Sequence, residues 1–345
     1  MIRGRGVCYD TGAHPHGTST RPDFDEAEVR RELEIIAWDL HCTAVRITGG
    51  EPERLSVAAE AAAEQGLEVW FSPFLCQTTA RQTGDLLLDC AERAERVRAQ
   101  GAEVVLVAGA ELSLFTHGFL PGDDLFARME QLAQGALAGR PATEPRGALR
   151  EVPARLDDFF ADLLPGLRAA FGGPIGYAAT LYERIDWGPF DLVGVDAYRG
   201  RTGVDRYPDQ LRALRVPGKP LAITEFGCCG YAGAGERGGK GWLIVDREAD
   251  PQRLHPGYVR DEQEQVRYLR ELLAIFDEVG VDSAFWFTFA GYPFPDRSAE
   301  LGPDQDLDLA SYGLVRVLGS GTGRRYPGLP WEPKAAFDAL AACYR

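Results

Sequence analysis

Long apolar runs are missing from this 345-residue chain. Nothing in it approaches the roughly 18 consecutive apolar residues that a membrane-spanning helix requires. The opening Met1-Ile2-Arg3-Gly4-Arg5-Gly6-Val7 carries two arginines with no apolar stretch behind them, so no export signal is read and a cytoplasmic location is expected. Lysine is scarce, limited to Lys219, Lys240 and Lys334. The 37 basic residues are outnumbered by 52 acidic ones, for a net charge of −15. That balance repels phosphate backbones and anionic lipid, so neither nucleic acid nor membrane is expected as a partner. The seven cysteines are odd in number and lack CxxC spacing. They therefore read as free thiols rather than a disulfide framework, with the vicinal Cys228-Cys229 pair as the place where a metal or redox role would lie. After the first strand stands Cys8-Tyr9-Asp10-Thr11-Gly12, which is not the glycine-rich turn of a dinucleotide-binding sheet.

What is present is alternation. Short apolar or β-branched runs at 3–9, 43–47, 67–71, 103–108, 174–179, 191–196, 220–225 and 282–288 read as eight strands. They are apolar on both faces, as strands covered on both sides must be. Amphipathic segments lie between them. Val29, Leu33, Ile36 and Leu40 recur at helical spacing behind Asp25, a residue type that caps helices. Leu87, Cys90, Ala94 and Val97 form a second such face, and Val266, Leu269, Leu273, Phe276 and Val279 a third. The pattern predicts an α/β fold of one domain over 1–345, a single (β/α)8 TIM barrel. Two stretches exceed an ordinary connection. One is an excursion after the fourth strand, about 112–151, with an extra helix over 123–137 and a Pro/Gly-rich loop over 139–147. The other is a glycine-rich flap after the seventh strand, about 227–257. A last helix is expected over 332–344.

In such barrels the reactive groups gather where the strands end. Those ends carry Tyr9-Asp10, Arg46, Phe71-Ser72, Glu111, Thr180, Asp196 with Tyr198, Glu225 and Trp286. Glu225 closes the run Leu221-Ala222-Ile223-Thr224, and a carboxylate so placed needs partners. Arg46 and Tyr198 are the candidates. Two carboxyls about 5 Å apart can cleave a glycosidic bond, one attacking the anomeric carbon while the other protonates the leaving oxygen. Glu225 suits the first role. Glu111, beside that charge and next to Leu112 and Leu114, is expected to have a raised pKa and to act as acid, then base. Asp10 and Asp196 are candidates for sugar hydroxyls. Tyr9, Trp70, Tyr182, Trp187, Tyr231, Trp242 and Tyr292 either line subsites or belong to the core. Each site residue also has a structural reading: Arg46 as a rim ion pair, Glu111 as a loop acid, Trp286 as core packing. Their joint placement favours a site.

Other barrel chemistries fit less well. His14-Pro15-His16 would need further histidines on later strand ends to hold a metal, and His41, His117 and His255 are not there. A Schiff-base enzyme needs a strand-end lysine. No metal and no cofactor are expected.

The strand-end pattern resembles clan A of the glycoside hydrolases, the cellulase and β-galactosidase superfamily of retaining barrel enzymes. Lys219-Pro220-Leu221-Ala222-Ile223-Thr224-Glu225-Phe226-Gly227 is similar to the clan's nucleophile motif on the seventh strand, and Glu111 stands where its acid/base glutamate ends the fourth. Arg46 matches the arginine that supports the nucleophile, Tyr198 the tyrosine after the sixth strand, and Trp286 the eighth-strand tryptophan under the sugar. Tyr312-Gly313-Leu314-Val315 and Trp331-Glu332-Pro333-Lys334-Ala335-Ala336-Phe337 resemble the clan's last turn and helix. The resemblance spans the chain. It implies a double-displacement mechanism on a small glycoside, with Glu225 as nucleophile and Glu111 as acid/base. One position departs: Ala110 stands where the clan usually has the asparagine that binds the sugar 2-hydroxyl. The chain also resembles actinobacterial proteins labelled abortive infection proteins. That keeps a second reading open, an inactive or non-hydrolytic barrel acting as a sugar-binding or phage-defence component.

Overall fold

The computed structural model describes residues 1–15, 17–136, 147–201 and 204–345. His16 and nearly all of the loop expected over 139–147 lie outside the described residues. Eight parallel strands close into a barrel, each paired with its sequence neighbours and the first with the last. They are β1 (Gly4–Asp10), β2 (Ala44–Gly49), β3 (Glu68–Pro73), β4 (Val104–Ala110), β5 (Ile175–Thr180), β6 (Val193–Asp196), β7 (Leu221–Phe226) and β8 (Ser283–Trp286). All eight coincide with the runs read from sequence.

Among the described residues the helices longer than a single turn are α1 (Glu26–Trp38), α2 (Pro52–Glu64), α3 (Ala80–Ala99), α4 (Leu125–Ala136), α5 (Val152–Ala170), α6 (Tyr207–Ala213), α7 (Glu262–Val279) and α8 (Ala335–Tyr344). Asp25 caps α1, accepting the Glu28 N–H at 2.9 Å. On α7, Leu272 is buried and Leu273 only half-buried, so the apolar face is turned slightly from the predicted one. Two departures from strict alternation appear. Residues 181–192, between β5 and β6, contain turns and no helix. The last helix begins at Ala335 rather than 332, because Trp331–Pro333 pairs antiparallel with Val315–Val317. No helix among the described residues is long and apolar enough to cross a membrane.

Apolar residues pack in two shells. The larger lies between strands and helices. The smaller fills the barrel lumen with Cys8, Ala44, Trp70, Val105, Val107, Ala110, Ala178, Leu192, Ala222 and Phe285. Trp70 and Phe285 meet at 4.8 Å between ring centroids. Cys8, Arg46 and Trp70 are aligned across β1, β2 and β3. Because aligned residues share a face of the sheet, Arg46 enters the lumen.

A buried polar knot ties the chain's beginning to its end. Glu32, fully buried on α1, accepts hydrogen bonds from Tyr9 (2.5 Å), Arg21 (2.9 Å), Tyr292 (2.5 Å) and the Trp331 indole (2.7 Å). Tyr9, Tyr292 and Trp331 thus belong to structure, and the saturation of Glu32 is what makes its burial tolerable.

Candidate active site

Both carboxylate-bearing strands are irregular where they end. On β7, Ile223 pairs with Val195 but Glu225 with Asp196, and towards β8 Ile223 pairs with Ala284 but Phe226 with Trp286. The strand therefore carries one residue more than either neighbour, a bulge that re-aims side chains. In consequence Thr224 and Glu225, adjacent in sequence, both reach groups at the mouth. The Glu225 carboxylate accepts a hydrogen bond from Arg46 Nη1 on Oε1 and from the Tyr198 hydroxyl on Oε2, each at 2.7 Å. Arg46 also donates to Ser72 Oγ at 3.1 Å and to the Thr224 carbonyl at 3.1 Å. Thr224 Oγ1 donates to Asp196 Oδ1 at 2.6 Å.

On β4 the extra residue falls between Val107 and Ala110. Gly109 adopts φ +92°, and a Cβ there would stand 2.9 Å from Leu112. Glu111 follows with φ 44°, a left-handed conformation rare for a residue with a side chain. What holds it is a lock that no linear spacing reveals. The Glu111 N–H donates to the Ala178 carbonyl at 2.9 Å. The Leu112 N–H donates to the Tyr177 hydroxyl at 2.8 Å, which in turn donates to Glu183 Oε2 at 3.0 Å. Glu183 is fully buried and accepts as well from the N–H groups of Ser113 (3.0 Å) and Thr180 (2.9 Å). We predict that Gly109→Ala lowers stability by about 1–3 kcal/mol, since it forces a side chain into positive φ against Leu112. Chemical denaturation measures this, and an unchanged midpoint would contradict the role given to Gly109.

Burial and neighbouring charge act on two of the carboxyls. Glu111 is partly exposed, and no hydrogen bond to its carboxyl is made among the described residues. Burial, then the charges of Asp196, Glu225 and Glu183, push its pKa well above the ordinary carboxylate range, with Arg46 opposing. Asp196 is pushed up too, by burial and then by Glu225, opposed by Arg46 and the Thr224 hydrogen bond. Its Oδ2 is buried without a partner, as is Arg46 Nη2. Burial and mutual repulsion thus bias Glu111 and Asp196 toward their protonated forms.

The structure thus brings Arg46, Asp196, Tyr198 and Glu225 into direct contact and sets Glu111 near them. Trp286 is not among them. Its side chain is fully buried outside the barrel wall, 5.4 Å from Phe226 between centroids, and its indole donates to the Tyr312 carbonyl at 3.0 Å. The sequence reading of Trp286 under a sugar is therefore corrected. Alternation puts Trp286 on the face opposite Phe285, and the next residue, Phe287, is the ring that meets Tyr198 (6.4 Å) and Tyr312 (5.9 Å). Asp10 has a hydrogen bond within its own loop, accepting the Gly12 N–H at 2.8 Å, and none to the Glu225 cluster. Trp70 and Tyr231 are core residues. Tyr182 is half-buried beside Glu111, its hydroxyl 2.8 Å from Ser113 Oγ. All seven cysteines are free; Cys228 and Cys229 are fully buried, and no group of metal-ligating side chains occurs among the described residues.

No family model matches the chain, and no curated protein matches it in sequence. Solved structures do resemble it. A GH113 β-1,4-mannanase superposes with TM-score 0.63 at 14% identity, covering 100% of this chain and 99% of its own. The GH113 β-mannanase AaManA of Alicyclobacillus acidocaldarius gives TM-score 0.57 at 16% identity, covering 100% and 97%. β-Glucosidase 1317 gives 0.53 at 13%, covering 99% and 98%. At these identities the likeness is one of fold: the chain has the barrel architecture of these glycoside hydrolases over its whole length.

Proposed function

We propose that the protein is a retaining glycosidase of the clan A type acting on small glycosides, with Glu225 as nucleophile and Glu111 as acid/base. The observation that carries the reading is the pairing of both Glu225 oxygens, at 2.7 Å, with a guanidinium and a phenol, across the mouth from a partly exposed carboxyl of raised pKa. An oxygen of Glu225 attacks the anomeric carbon as the Glu111 proton passes to the leaving oxygen. The glycosyl ester so formed is then displaced by water, whose proton returns to Glu111. Arg46 and Tyr198 orient Glu225 and stabilise its charge when it departs. Ala110 offers no hydrogen-bond donor from its side chain, so recognition of the sugar 2-position falls to other groups, with Asp196 and Asp10 as candidates.

A screen of aryl glycosides across sugars tests the proposal, with the anomer of the first-formed product read by NMR. Retention of configuration is expected, and inversion would overturn the assignment of roles. Absence of turnover on every sugar by folded protein would favour the sugar-binding alternative.

The pH profile supplies a second test. Glu111 must be protonated to assist departure, so activity is lost as pH rises through its pKa. Because that pKa is raised, the basic limb of kcat/KM should lie above the usual carboxylate value of about 4.3. In Glu111→Gln, assayed on a dinitrophenyl glycoside whose leaving group needs no proton, the limb should vanish. A limb that persists there would assign the titration to another group.

A further inference from the structure

Strands β4 and β7 stand on either side of β5 and β6, and the long excursions that follow them touch. Phe126 on α4 and Trp242 in the segment after β7 approach to 6.2 Å between ring centroids. The Arg247 guanidinium lies over both rings, 4.5 Å from the Trp242 centroid and 5.2 Å from that of Phe126. Each ring is tied to one side of the candidate site. The Trp242 indole donates to the Gly239 carbonyl at 3.1 Å. Gly239 lies against Tyr198, the partner of Glu225, where a Cβ would make ordinary contact with the phenol ring at 3.4 Å. On the other side Arg128, fully buried on α4, donates to the Leu114 carbonyl in the turn that begins at Glu111. It donates also to the Gly122 carbonyl at 2.8 Å and to Gln77 at 2.9 Å. The cluster therefore bridges the excursions after β4 and β7, each of them anchored beside one side of the candidate site.

Arg247 is anomalous within it. The chain carries a net charge of −15, yet Arg247 has no hydrogen bond or ion pair to any carboxylate or carbonyl among the described residues. Asp246 beside it is engaged instead with Arg253. Burial lowers the Arg247 pKa, with no nearby carboxylate acting against it. A guanidinium that rests a face on aromatic rings keeps its N–H edge available, and that edge matches the two oxygens of a carboxylate or phosphate. Phe126 and Trp242 remain partly exposed next to it.

We propose that Phe126, Trp242 and Arg247 form a leaving-group subsite, taking a planar or aromatic aglycone that bears an oxyanion. This rests on the glycosidase reading for its place in the reaction, but not for the binding itself, and the tests separate the two. In the first, kcat/KM is compared for pairs of 4-nitrophenyl glycosides with and without a ring carboxylate. Arg247→Gln is expected to lower the charged-to-neutral ratio about tenfold or more, the scale of a charge-assisted hydrogen bond, while Trp242→Ala lowers both members of the pair. A ratio unchanged in Arg247→Gln overturns the proposal, and a fall in melting temperature alone would mark Arg247 as a strut between loops. In the second, benzoate, phenyl phosphate and benzamide are titrated against wild type and Arg247→Gln by ligand-observed NMR. Binding of an anion but not benzamide, lost in the variant, supports the subsite even if no glycoside is turned over, and the preferred anion distinguishes carboxylate from phosphate. Equal binding of all three compounds, or none, overturns it.

Discussion

Glu225→Ala is expected to lower kcat on any aryl glycoside turned over by at least about 10⁴-fold, because the residue is asked to form the covalent bond itself. Azide should restore part of that rate by occupying the space left by the carboxylate, delivering a glycosyl azide of inverted configuration. Glu111→Ala predicts a different signature. Loss of the proton donor costs about 10²–10⁴-fold on poor leaving groups and far less on dinitrophenyl glycosides. Azide then attacks the glycosyl-enzyme from the opposite face, and the product keeps its configuration. Product NMR and kcat across a leaving-group series read both variants together. If the two variants respond identically to azide, the division of labour between Glu225 and Glu111 is wrong.

The second large effect concerns stability. Glu32→Ala strips the fully buried Arg21 of its buried counter-charge, leaving only the half-buried Glu28, also at 2.9 Å. It also removes the acceptor of Tyr9 and Trp331 and the nearer of the two acceptors of Tyr292. Breaking one side of a buried pair costs about 3–5 kcal/mol. With an unfolding entropy near 2.1 cal/mol/K per residue, that corresponds to a fall in Tm of roughly 4–7 °C. The double variant Arg21→Met/Glu32→Leu should recover part of the loss, since no uncompensated charge stays buried. Calorimetry on the three proteins measures this. A double variant less stable than Glu32→Ala would show that the shape of the knot, rather than its charge balance, holds the two ends of the barrel.

Much of the site was legible because its signals are local. Arg46 and Glu225 stand out as charges at the ends of apolar strand runs, and a charge so placed requires the other. Tyr198, just past β6, falls within reach of the same carboxylate. The phase of the eighth strand was not legible. Among the consecutive aromatics Phe285, Trp286 and Phe287, a shift of one residue exchanges lumen for outer wall, and nothing local says which ring faces in. Pairing with β1 and β7 places Trp286 outside and turns Phe287 toward Tyr198. Glu183 carries no local signal, because it lies beyond the end of β5. Its importance arises only when the turn at Glu111–Ser113 is brought beside it from β4.

By itself the sequence determined the barrel, its eight strand positions and the strand ends where the polar groups collect. Periodicity and burial are properties of short stretches, and each stretch carries its own record of them. Only the tertiary structure decided how the two glutamates are presented. The bulge that turns Glu225 onto Arg46 is defined by its mismatch with β6 and β8. The left-handed Glu111 is held by Tyr177 and Glu183 from the neighbouring strand and its turn. The meeting of Phe126, Trp242 and Arg247 joins residues more than a hundred positions apart. Each depends on contacts between distant segments, which exist only once the barrel has closed.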